Sequence, residues 1–273
     1  MEPCIQAVHI TKKFPGVLAL NDISIDFYPG EVHALLGENG AGKSTLIKIL
    51  SGVYTATEGK VMLNGREMYF QSPRQALDAG ISVIHQELSI ANDLTVAENI
   101  YLGAEPRQKN GVFVDKKKMI ADAQAVLDFM KVNIKATDLA RDLTAAQQQM
   151  AEIAKIIVKN SKVVIMDEPT SSLSEHEIAA LFEQIRMLKE KNVAVIYISH
   201  RMCDRATVLR DGCFVSTCMI KDVTENQIVT SMVGREMKDY YNRKPHTRGK
   251  ETLRVENLSC GRHYQNISFS AYQ

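Results

Sequence analysis

Residues 37–44, GENGAGKS, constrain the fold more than any other stretch because they fit the pattern GxxxxGK[ST]. An apolar run, Val32 to Leu36, precedes them, and a helical pattern with Leu46, Ile47 and Leu50 follows. A strand, a glycine-rich loop and a helix in this order predict a phosphate-binding loop. The alternative is a glycine-rich turn before a helix, which the strand, the lysine and the serine together disfavour.

The chemistry of this loop suits the phosphates of ATP. Glycines let the backbone approach phosphate oxygens, and successive N–H groups and the helix N-terminus face the negative charge. We expect Lys43 to reach the β- and γ-phosphates and Ser44 to offer its hydroxyl to Mg²⁺. The predicted nucleotide-binding residues of this segment are Gly37, Glu38, Asn39, Gly40, Ala41, Gly42, Lys43, Ser44 and Thr45.

A pair of carboxylates follows a second apolar run, Val163 to Met166. Ligands of doubly wound sheets bind at the carboxyl ends of strands. We therefore expect Asp167 to hold the Mg²⁺ shell and Glu168 to orient and deprotonate the attacking water. By itself such a pair is more often a solvated strand end, but the phosphate loop favours the catalytic interpretation.

Composition and charge argue against a nucleic-acid-binding, membrane-spanning, zinc-binding or disulfide-rich protein. Apolar residues make up 45% and charged residues 24% of the chain, and the net charge is +1. This is the composition of an ordinary globular protein without a dedicated nucleic-acid surface. The apolar runs are too short to span a membrane. The five cysteines are odd in number and lack CxxC spacing, so neither a zinc site nor a disulfide framework is predicted.

The order of the predicted elements indicates an α/β protein. Short β-type runs alternate with amphipathic helices, and a helical insert is expected around residues 90 to 160. Capping-box spacing marks helix starts at Thr95, Ser174 and Thr224, and Asp115 is expected to cap another helix. The pair Asp211-Gly212 predicts a two-residue β-hairpin.

The last 33 residues differ in pattern from the rest of the chain. The stretch from Tyr241 to Lys250 is polar and basic and predicts a linker. Beyond it, residues 253–258 repeat the pattern of residues 5–10, and residues 265–269 repeat that of residues 21–25. We therefore predict one domain at residues 1–240, a linker at 241–251 and the truncated start of a second copy at 252–273.

Most of residues 5 to 240 resembles the nucleotide-binding subunit of ABC transporters, in particular the ATPase of bacterial monosaccharide importers. The resemblance rests on the segments FPGVLALNDISIDFYPGEVHALLGENGAGKSTLIKILSGVY, GISVIHQELSI, LTVAENIYLG, QQQMAEIAK and VVIMDEPTSSLSEHE. It implies the P-loop NTPase fold of the ABC type, with a mixed sheet, an antiparallel β subdomain and a helical subdomain. Family members usually have two such cassettes in tandem.

The resemblance also implies roles for individual residues. Phe14 would stack on adenine, although a core phenylalanine is an equally good interpretation. Gln86 would touch Mg²⁺ and the attacking water and sense the membrane subunit, and His200 would contact the γ-phosphate. The family's signature segment would face the ATP of a partner cassette and corresponds here to Thr144, Ala145, Ala146 and Gln147.

The sequence departs from the family pattern in three places. Ala145 and Ala146 stand where the signature has glycines, and Ser174 replaces an aspartate of the loop after the carboxylate pair. The third departure follows His200, where the family's helical segment before the strand near Ala206 is mostly absent. We expect His200 still to reach the site, with the link to Ala206 strained or the following strand displaced.

Two functions follow from these inferences. The first is a Mg²⁺-dependent ATPase that powers sugar import from the cytoplasmic face of the membrane. It implies permease subunits, an external sugar-binding protein and a second cassette or a second copy of the chain as partners. Contact with the permease is expected through a groove near residues 86 to 103. The second function is a truncated cassette that binds ATP with impaired hydrolysis, either as a binding module or as the product of a decayed gene. A DNA-repair or translation ATPase fits less well, because coiled-coil insertions and basic stripes are missing from the sequence.

Overall fold

The computed structural model describes residues 2–84, 89–108, 111, 113–167, 175–198, 203–234, 249–261 and 264–272. The chain divides into two compact units, Met1–Arg235 and Glu236–Gln273. In chain order the strands are β1 (Ile5–Phe14), β2 (Val17–Phe27), β3 (Val32–Leu36), β4 (Glu58–Leu63), β5 (Arg66–Met68), β6 (Ile81–Ile84), β7 (Val163–Met166), β8 (Ala194–Tyr197), β9 (Arg205–Arg210), β10 (Cys213–Met219), β11 (Glu251–Cys260) and β12 (Tyr264–Tyr272). The α-helices are α1 (Lys43–Leu50), α2 (Pro73–Asp78), α3 (Val96–Ile100), α4 (Lys116–Phe129), α5 (Ala145–Val158), α6 (Glu175–Glu190) and α7 (Glu225–Val233).

A six-stranded sheet forms the centre of the first unit, in the order β10-β9-β3-β8-β7-β6. Its neighbours pair in parallel from β9 through to β6, and only β10 is antiparallel. Strands β3, β7 and β8 are buried along their whole length. Their short apolar runs suit strands that are covered on both faces. The predicted mixed sheet is therefore confirmed.

A second, antiparallel sheet has the order β2-β1-β4-β5. Its inward residues, among them Ile5, Ile10 and Ile23, pack with Leu46 and Leu50 of α1 in one apolar cluster. Helix α1 therefore lies between the antiparallel sheet and the central sheet. The antiparallel β subdomain expected from the sequence is confirmed.

Helices α3, α4 and α5 form the predicted helical subdomain. Their apolar faces meet in a cluster that includes Ile100, Leu127 and Ile153. The capping boxes at Thr95 and Thr224 and the cap at Asp115 are present as predicted. The predicted cap at Ser174 lies outside the described residues.

The hairpin predicted at Asp211-Gly212 joins β9 to β10. Both residues have positive φ, 51° for Asp211 and 74° for Gly212. That is the combination that a type I′ turn requires.

The expectation that the strand after His200 is displaced is wrong. Strand β9 pairs in parallel with β3 in regular register, from His33 opposite Arg205 to Leu36 opposite Val208. Asp204 fixes its start, since the Asp204 N–H donates to the Val32 carbonyl (2.9 Å) and the Val32 N–H donates to Asp204 Oδ2 (2.9 Å).

The short link between β8 and β9 is sufficient because β8 ends only one residue pair beyond the level at which β9 begins. Tyr197 lies level with Ala34 of β3, and Arg205 lies level with His33, so the chain steps back by one residue pair. It also crosses two strand spacings, about 10 Å. Ile198, Cys203 and Asp204 of this link are not helical. The strain predicted for this link concerns residues that include Arg201 and Met202. These lie outside the described residues, so the strain stays a prediction.

The second unit contains the antiparallel pair β11–β12. Every described side chain of this pair is exposed or half-buried. Apolar examples are Leu253, 50% exposed, and Phe269, also 50% exposed.

Candidate functional site

The glycine-rich loop begins at the carboxyl end of β3, between β8 and β9. Gly37, Gly40 and Gly42 have φ values of 149°, 86° and 100°. A Cβ on Gly42 would lie 2.6 Å from Leu20 Cδ2 and 2.9 Å from the Ala19 carbonyl oxygen. A side chain at this position would therefore collide with β2, and the loop requires glycine for space as well as for its φ angle.

Lys43 lies across this loop. Its Nζ donates to the carbonyl oxygens of Gly37 (2.7 Å) and Glu38 (3.0 Å). The ammonium group is thus held beside the first turn of α1, where backbone N–H groups lack intrahelical partners. A lysine ammonium and the N–H groups of a helix N-terminus belong to the same short segment, which is an arrangement suited to phosphate.

A cavity of about 550 Å³ opens in front of the loop. Of the nine residues predicted from the motif, Asn39, Gly40, Gly42, Lys43, Ser44 and Thr45 line it, whereas Gly37, Glu38 and Ala41 do not. Ala41 is buried. The loop thus forms one wall of the cavity, with Ala41 buried beneath it, whereas Glu38 is exposed.

The rest of the lining comes from five residues that the sequence did not indicate as part of a site. They are Val17, Leu18, Ala19, Asp211 and Gly212. Val17 and Leu18 are apolar yet 59% and 48% exposed, which suits contact with a ligand base or sugar. Gly212 is held there by two hydrogen bonds, its N–H to the Ala41 carbonyl (3.3 Å) and its carbonyl to the Asn21 N–H (2.8 Å).

Asp167 directly follows β7 at the edge where β3 also ends. The Asp167 N–H donates to the Ile84 carbonyl (3.0 Å), which ties the residue to β6. Strands β6, β7 and β8 are parallel to β3, so the carboxyl ends of these four strands lie at one edge of the sheet. Gln86, Glu168 and His200 follow these strands in sequence but lie outside the described residues.

The oxygen donors of this region fit Mg²⁺. Ser44 lines the cavity at the start of α1, and Asp167 lies at the carboxyl edge of the sheet. Mg²⁺ prefers oxygen ligands and is often held by one or two protein groups together with substrate phosphates. Within the described part of the chain, clusters of three or more histidine, cysteine or carboxylate ligands are absent. Ser44 and Asp167 would offer a hydroxyl and a carboxylate to such an ion, and Asp167 is not among the residues that line the cavity.

Phe14 has a different environment from the loop. Its ring packs edge-on against Tyr54, with centroids 5.4 Å apart, and Lys12 Nζ lies 5.0 Å from the Phe14 centroid. Phe14 is half-buried and is not among the residues that line the cavity. Adenine stacking by Phe14 stays a prediction.

The signature segment forms the start of α5. The Thr144 side chain accepts from the Gln147 N–H (3.3 Å), and the Gln147 side chain accepts from the Thr144 N–H (3.0 Å). Ala145 and Ala146 are helical, so alanine meets no backbone penalty there. Thr144 and Ala145 are exposed, and all four signature residues lie away from the cavity lining.

Comparison with known proteins agrees with this architecture. The family model described as "ABC transporter" matches residues 20–171, more than half of the chain. The chain belongs to the ABC transporter family. The family resemblance seen in the sequence is thereby confirmed, and so is the predicted fold.

Curated relatives in this family are named as import ATP-binding proteins. A putative ribose/galactose/methyl galactoside import ATP-binding protein 2 of Burkholderia cenocepacia is 46% identical over 98% of this chain and 54% of that protein. The ribose import ATP-binding protein RbsA of Geobacillus kaustophilus is 46% identical over 96% of this chain and 54% of that protein. The chain spans about half the length of these relatives.

Solved cassettes of the family have the same fold. The ADP conformation of the ATP-binding cassette MJ1267 matches 86% of this chain and 100% of its own length, with a TM-score of 0.74 and 25% identity. Helices long and apolar enough to cross a membrane are not found in the described parts of our chain.

Proposed function

We propose that the chain binds ATP with Mg²⁺ and hydrolyses it to energise monosaccharide import through a membrane transporter. The proposal rests chiefly on the cavity of about 550 Å³ in front of the phosphate loop. Its volume is typical of small-molecule sites. Support for the substrate class comes from relatives that are 46% identical and named for ribose or galactose import.

The loop residues would bind the phosphates. We expect Lys43 Nζ to exchange the carbonyl oxygens of Gly37 and Glu38 for the β- and γ-phosphate oxygens. The N–H groups at the start of α1 would stabilise the same charge. Val17 and Leu18 would lie against the base or the sugar and keep water from one side of the nucleotide.

The carboxyl edge of the sheet would provide the chemistry. When bound, Mg²⁺ neutralises charge that develops on the phosphoryl oxygens. Ser44 and Asp167 would hold it, with Gln86 as a further contact. In this proposal Glu168 takes the proton of the attacking water, and His200 contacts the γ-phosphate.

A second cassette would complete the site. The exposed N-terminus of α5, with Thr144 and Ala145, offers a hydroxyl and N–H groups to the nucleotide of a partner. That partner would be a second copy or a tandem cassette. The proposal includes residues 252–273 as the start of such a cassette, after the cassette of residues 1–240 and the linker 241–251.

The transport partners complete the proposal. Permease subunits would receive the energy of ATP binding and hydrolysis, and an external sugar-binding protein would act indirectly through them. The chain would work on the cytoplasmic face of the membrane. Nucleic acid is not a proposed partner.

ATP binding is tested by Lys43→Ala, with Lys117→Ala on the exposed face of α4 as a control for loss of one lysine. The thermal shift produced by ATP with Mg²⁺ is measured for each variant. We expect Lys43→Ala to weaken ATP binding at least about tenfold, roughly 1.4 kcal/mol, and the control to match the parent. Equal shifts in both variants would refute the phosphate-loop assignment.

A second candidate is a module that binds ATP without turnover. It is favoured by the short link after β8, where Ile198, Cys203 and Asp204 are not helical. Steady-state phosphate release separates the two functions. If the parent turns over ATP and Glu168→Gln does not, the ATPase proposal holds; ATP binding without phosphate release, even with permease subunits present, favours the module.

A further inference from the structure

The turn at Asp211-Gly212 contributes to the cavity in front of the phosphate loop, although it belongs to the hairpin that joins β9 to β10. Gly212 is buried, whereas Asp211 is exposed and lines the cavity. The function proposed above places Val17 and Leu18 against the base or the sugar and gives this turn no role. Among the described residues that line the cavity, Asp211 is the only carboxylate.

The position of the turn is fixed from two sides. The Gly212 N–H donates to the Ala41 carbonyl of the phosphate loop (3.3 Å), and the Asn21 N–H of β2 donates to the Gly212 carbonyl (2.8 Å). A Cβ on Gly212 would lie 2.8 Å from the Ala19 carbonyl oxygen, so the turn packs tightly on β2. The backbone beside Asp211 is therefore held against the phosphate loop by the protein itself.

The carboxylate of Asp211 is available to a ligand. Within the described part of the chain, hydrogen bonds and ion pairs from other residues to this carboxylate are absent. The guanidinium of the preceding Arg210 lies instead against Gly234, at the end of α7. An ionised carboxylate only accepts hydrogen bonds, so a group that binds to it must supply a donor.

A nucleotide offers donors only outside its phosphates, which are negative and would be repelled by a carboxylate. The candidates are the two ribose hydroxyls and the amino group of adenine. The phosphates are expected at Lys43 and the start of α1. Because the turn at Asp211 is hydrogen-bonded to the phosphate loop itself, the ribose, which directly follows the phosphates, is the nearer of the two. The exposed apolar side chains of Val17 and Leu18 suit the faces of the base.

We propose that Asp211 accepts hydrogen bonds from the 2′- and 3′-hydroxyls of the ribose and makes the site selective for ribonucleotides. The inference rests on the function proposed above and adds a specificity-determining residue to its nucleotide site. The two oxygens of a carboxylate can accept from both hydroxyls. An acidic residue binds a ribose hydroxyl in dinucleotide-binding folds as well. Hydrogen bonds to a charged acceptor are about twice as strong as neutral ones, so their loss is measurable.

Asp211→Gly tests this role, because it removes the carboxylate and keeps the turn. Glycine adopts the left-handed φ of 51° without strain. Dissociation constants for ATP and for 2′,3′-dideoxy-ATP, each with Mg²⁺, are measured on the full chain by calorimetry. We expect the parent to bind ATP at least about tenfold more tightly than the dideoxy analogue, and the variant to bind both about equally. Relief of repulsion between Asp211 and the phosphates would strengthen both nucleotides alike and leave their ratio unchanged.

Asn64→Gly is the matched control. Asn64 and Gly65 form the two-residue turn between β4 and β5, with φ values of 48° and 74°, and Asn64 does not line the cavity. This variant should keep the parental ratio of the two affinities. Asp211→Asn keeps the turn and an uncharged acceptor oxygen, so its ratio should lie between those of the parent and Asp211→Gly.

The possible results separate this inference from the function on which it rests. If the parent binds ATP and Asp211→Gly keeps the parental ratio, the ribose contact is refuted and the proposed function stands. If Asp211→Gly changes the ratio of ATP to GTP affinity instead, Asp211 binds the base and the assignment to ribose is wrong. Equal loss of both nucleotides, with a urea midpoint below that of Asn64→Gly, would give Asp211 a structural role. A parent that binds no nucleotide would refute the proposed function as well.

Discussion

The β1–β2 and β11–β12 hairpins have the same backbone irregularity although they belong to different compact units. In β1 the pairing shifts at His9, which has a φ of 54°, and in β11 it shifts at Asn257, with a φ of 55°. On the partner strands, Asp22 and Asn266 have φ values of 53° and 54°. Both hairpins therefore contain the same kind of β-bulge.

One hydrogen bond is also repeated. The His9 N–H donates to Ser24 Oγ (2.9 Å), and the Asn257 N–H donates to Ser268 Oγ (2.9 Å). In each case the serine stands two positions after the left-handed residue of the second strand. This agreement supports the proposal that residues 252–273 begin a second cassette.

Burial distinguishes the two hairpins. Ile10 and Ile23 are 0% exposed, whereas their counterparts Leu258 and Ile267 are 45% and 43% exposed. Strand β4 pairs with β1, and α1 packs on the inner face of β2, but the described part of the second unit contains no such covering element. Local sequence therefore determines the bulge in both hairpins. Burial depends on covering elements later in the chain, which are β4 and α1 in the first unit.

The largest contrast is expected between Ile23→Ala and Ile267→Ala. The first leaves a cavity in a packed core and should lower the free energy of unfolding by about 2–5 kcal/mol. The second removes apolar surface that is already partly exposed and should change it by no more than about 0.5 kcal/mol. Urea unfolding of both variants measures the difference. Equal losses would show that the second hairpin is covered in solution.

Low pH should destabilise the structure around the β1–β2 hairpin, because Phe27 of β2 packs on the titratable His33, with ring centroids 4.8 Å apart. Burial, and then the charge of Arg205, lowers the pKa of His33 from 6.5 to about 3. Between these values the unfolded chain binds the proton and the folded chain does not. The folded state should therefore lose up to about 1.4 kcal/mol per pH unit as the pH falls from 6.5 toward 3.

His33→Gln isolates this contribution. The variant will be less stable at neutral pH, because His33 Nε2 lies 2.7 Å from Thr207 Oγ1 in a buried hydrogen bond. Its urea midpoint should nevertheless vary less between pH 6.5 and 4.5 than that of the parent. The same pH dependence in parent and variant would mean that another group titrates.

Much of the fold could be predicted because its signals are local. GENGAGKS, the apolar strands and the caps at Thr95, Asp115 and Thr224 depend on a few neighbouring side chains, and they are found where the sequence indicates. The position of β9 could not be predicted in this way. It depends on where β8 stops relative to Ala34 of β3, and that is a matter of register between distant strands.

The candidate site also has residues that local sequence identifies and residues that it does not. The phosphate-loop residues were identifiable from their spacing, but Val17, Leu18 and Asp211 were not, because they reach the cavity through two other turns of the fold. The only local signal at Val17 and Leu18 was a pair of apolar residues after Gly16.

The smallest expected effect concerns the repeated hydrogen bond, tested by Ser24→Ala and Ser268→Ala. In the first unit the bond belongs to a strand paired on both sides, so its loss should lower the global free energy of unfolding by about 1 kcal/mol. An isolated two-stranded hairpin is marginally stable in water. Loss of the Ser268 contact should therefore leave the global free energy of unfolding unchanged and only accelerate amide exchange at Asn257.

Amide exchange measured by NMR, together with urea unfolding, separates the two results. If Ser268→Ala costs as much global stability as Ser24→Ala, the second hairpin unfolds cooperatively with a larger structure, and the contrast in burial is wrong.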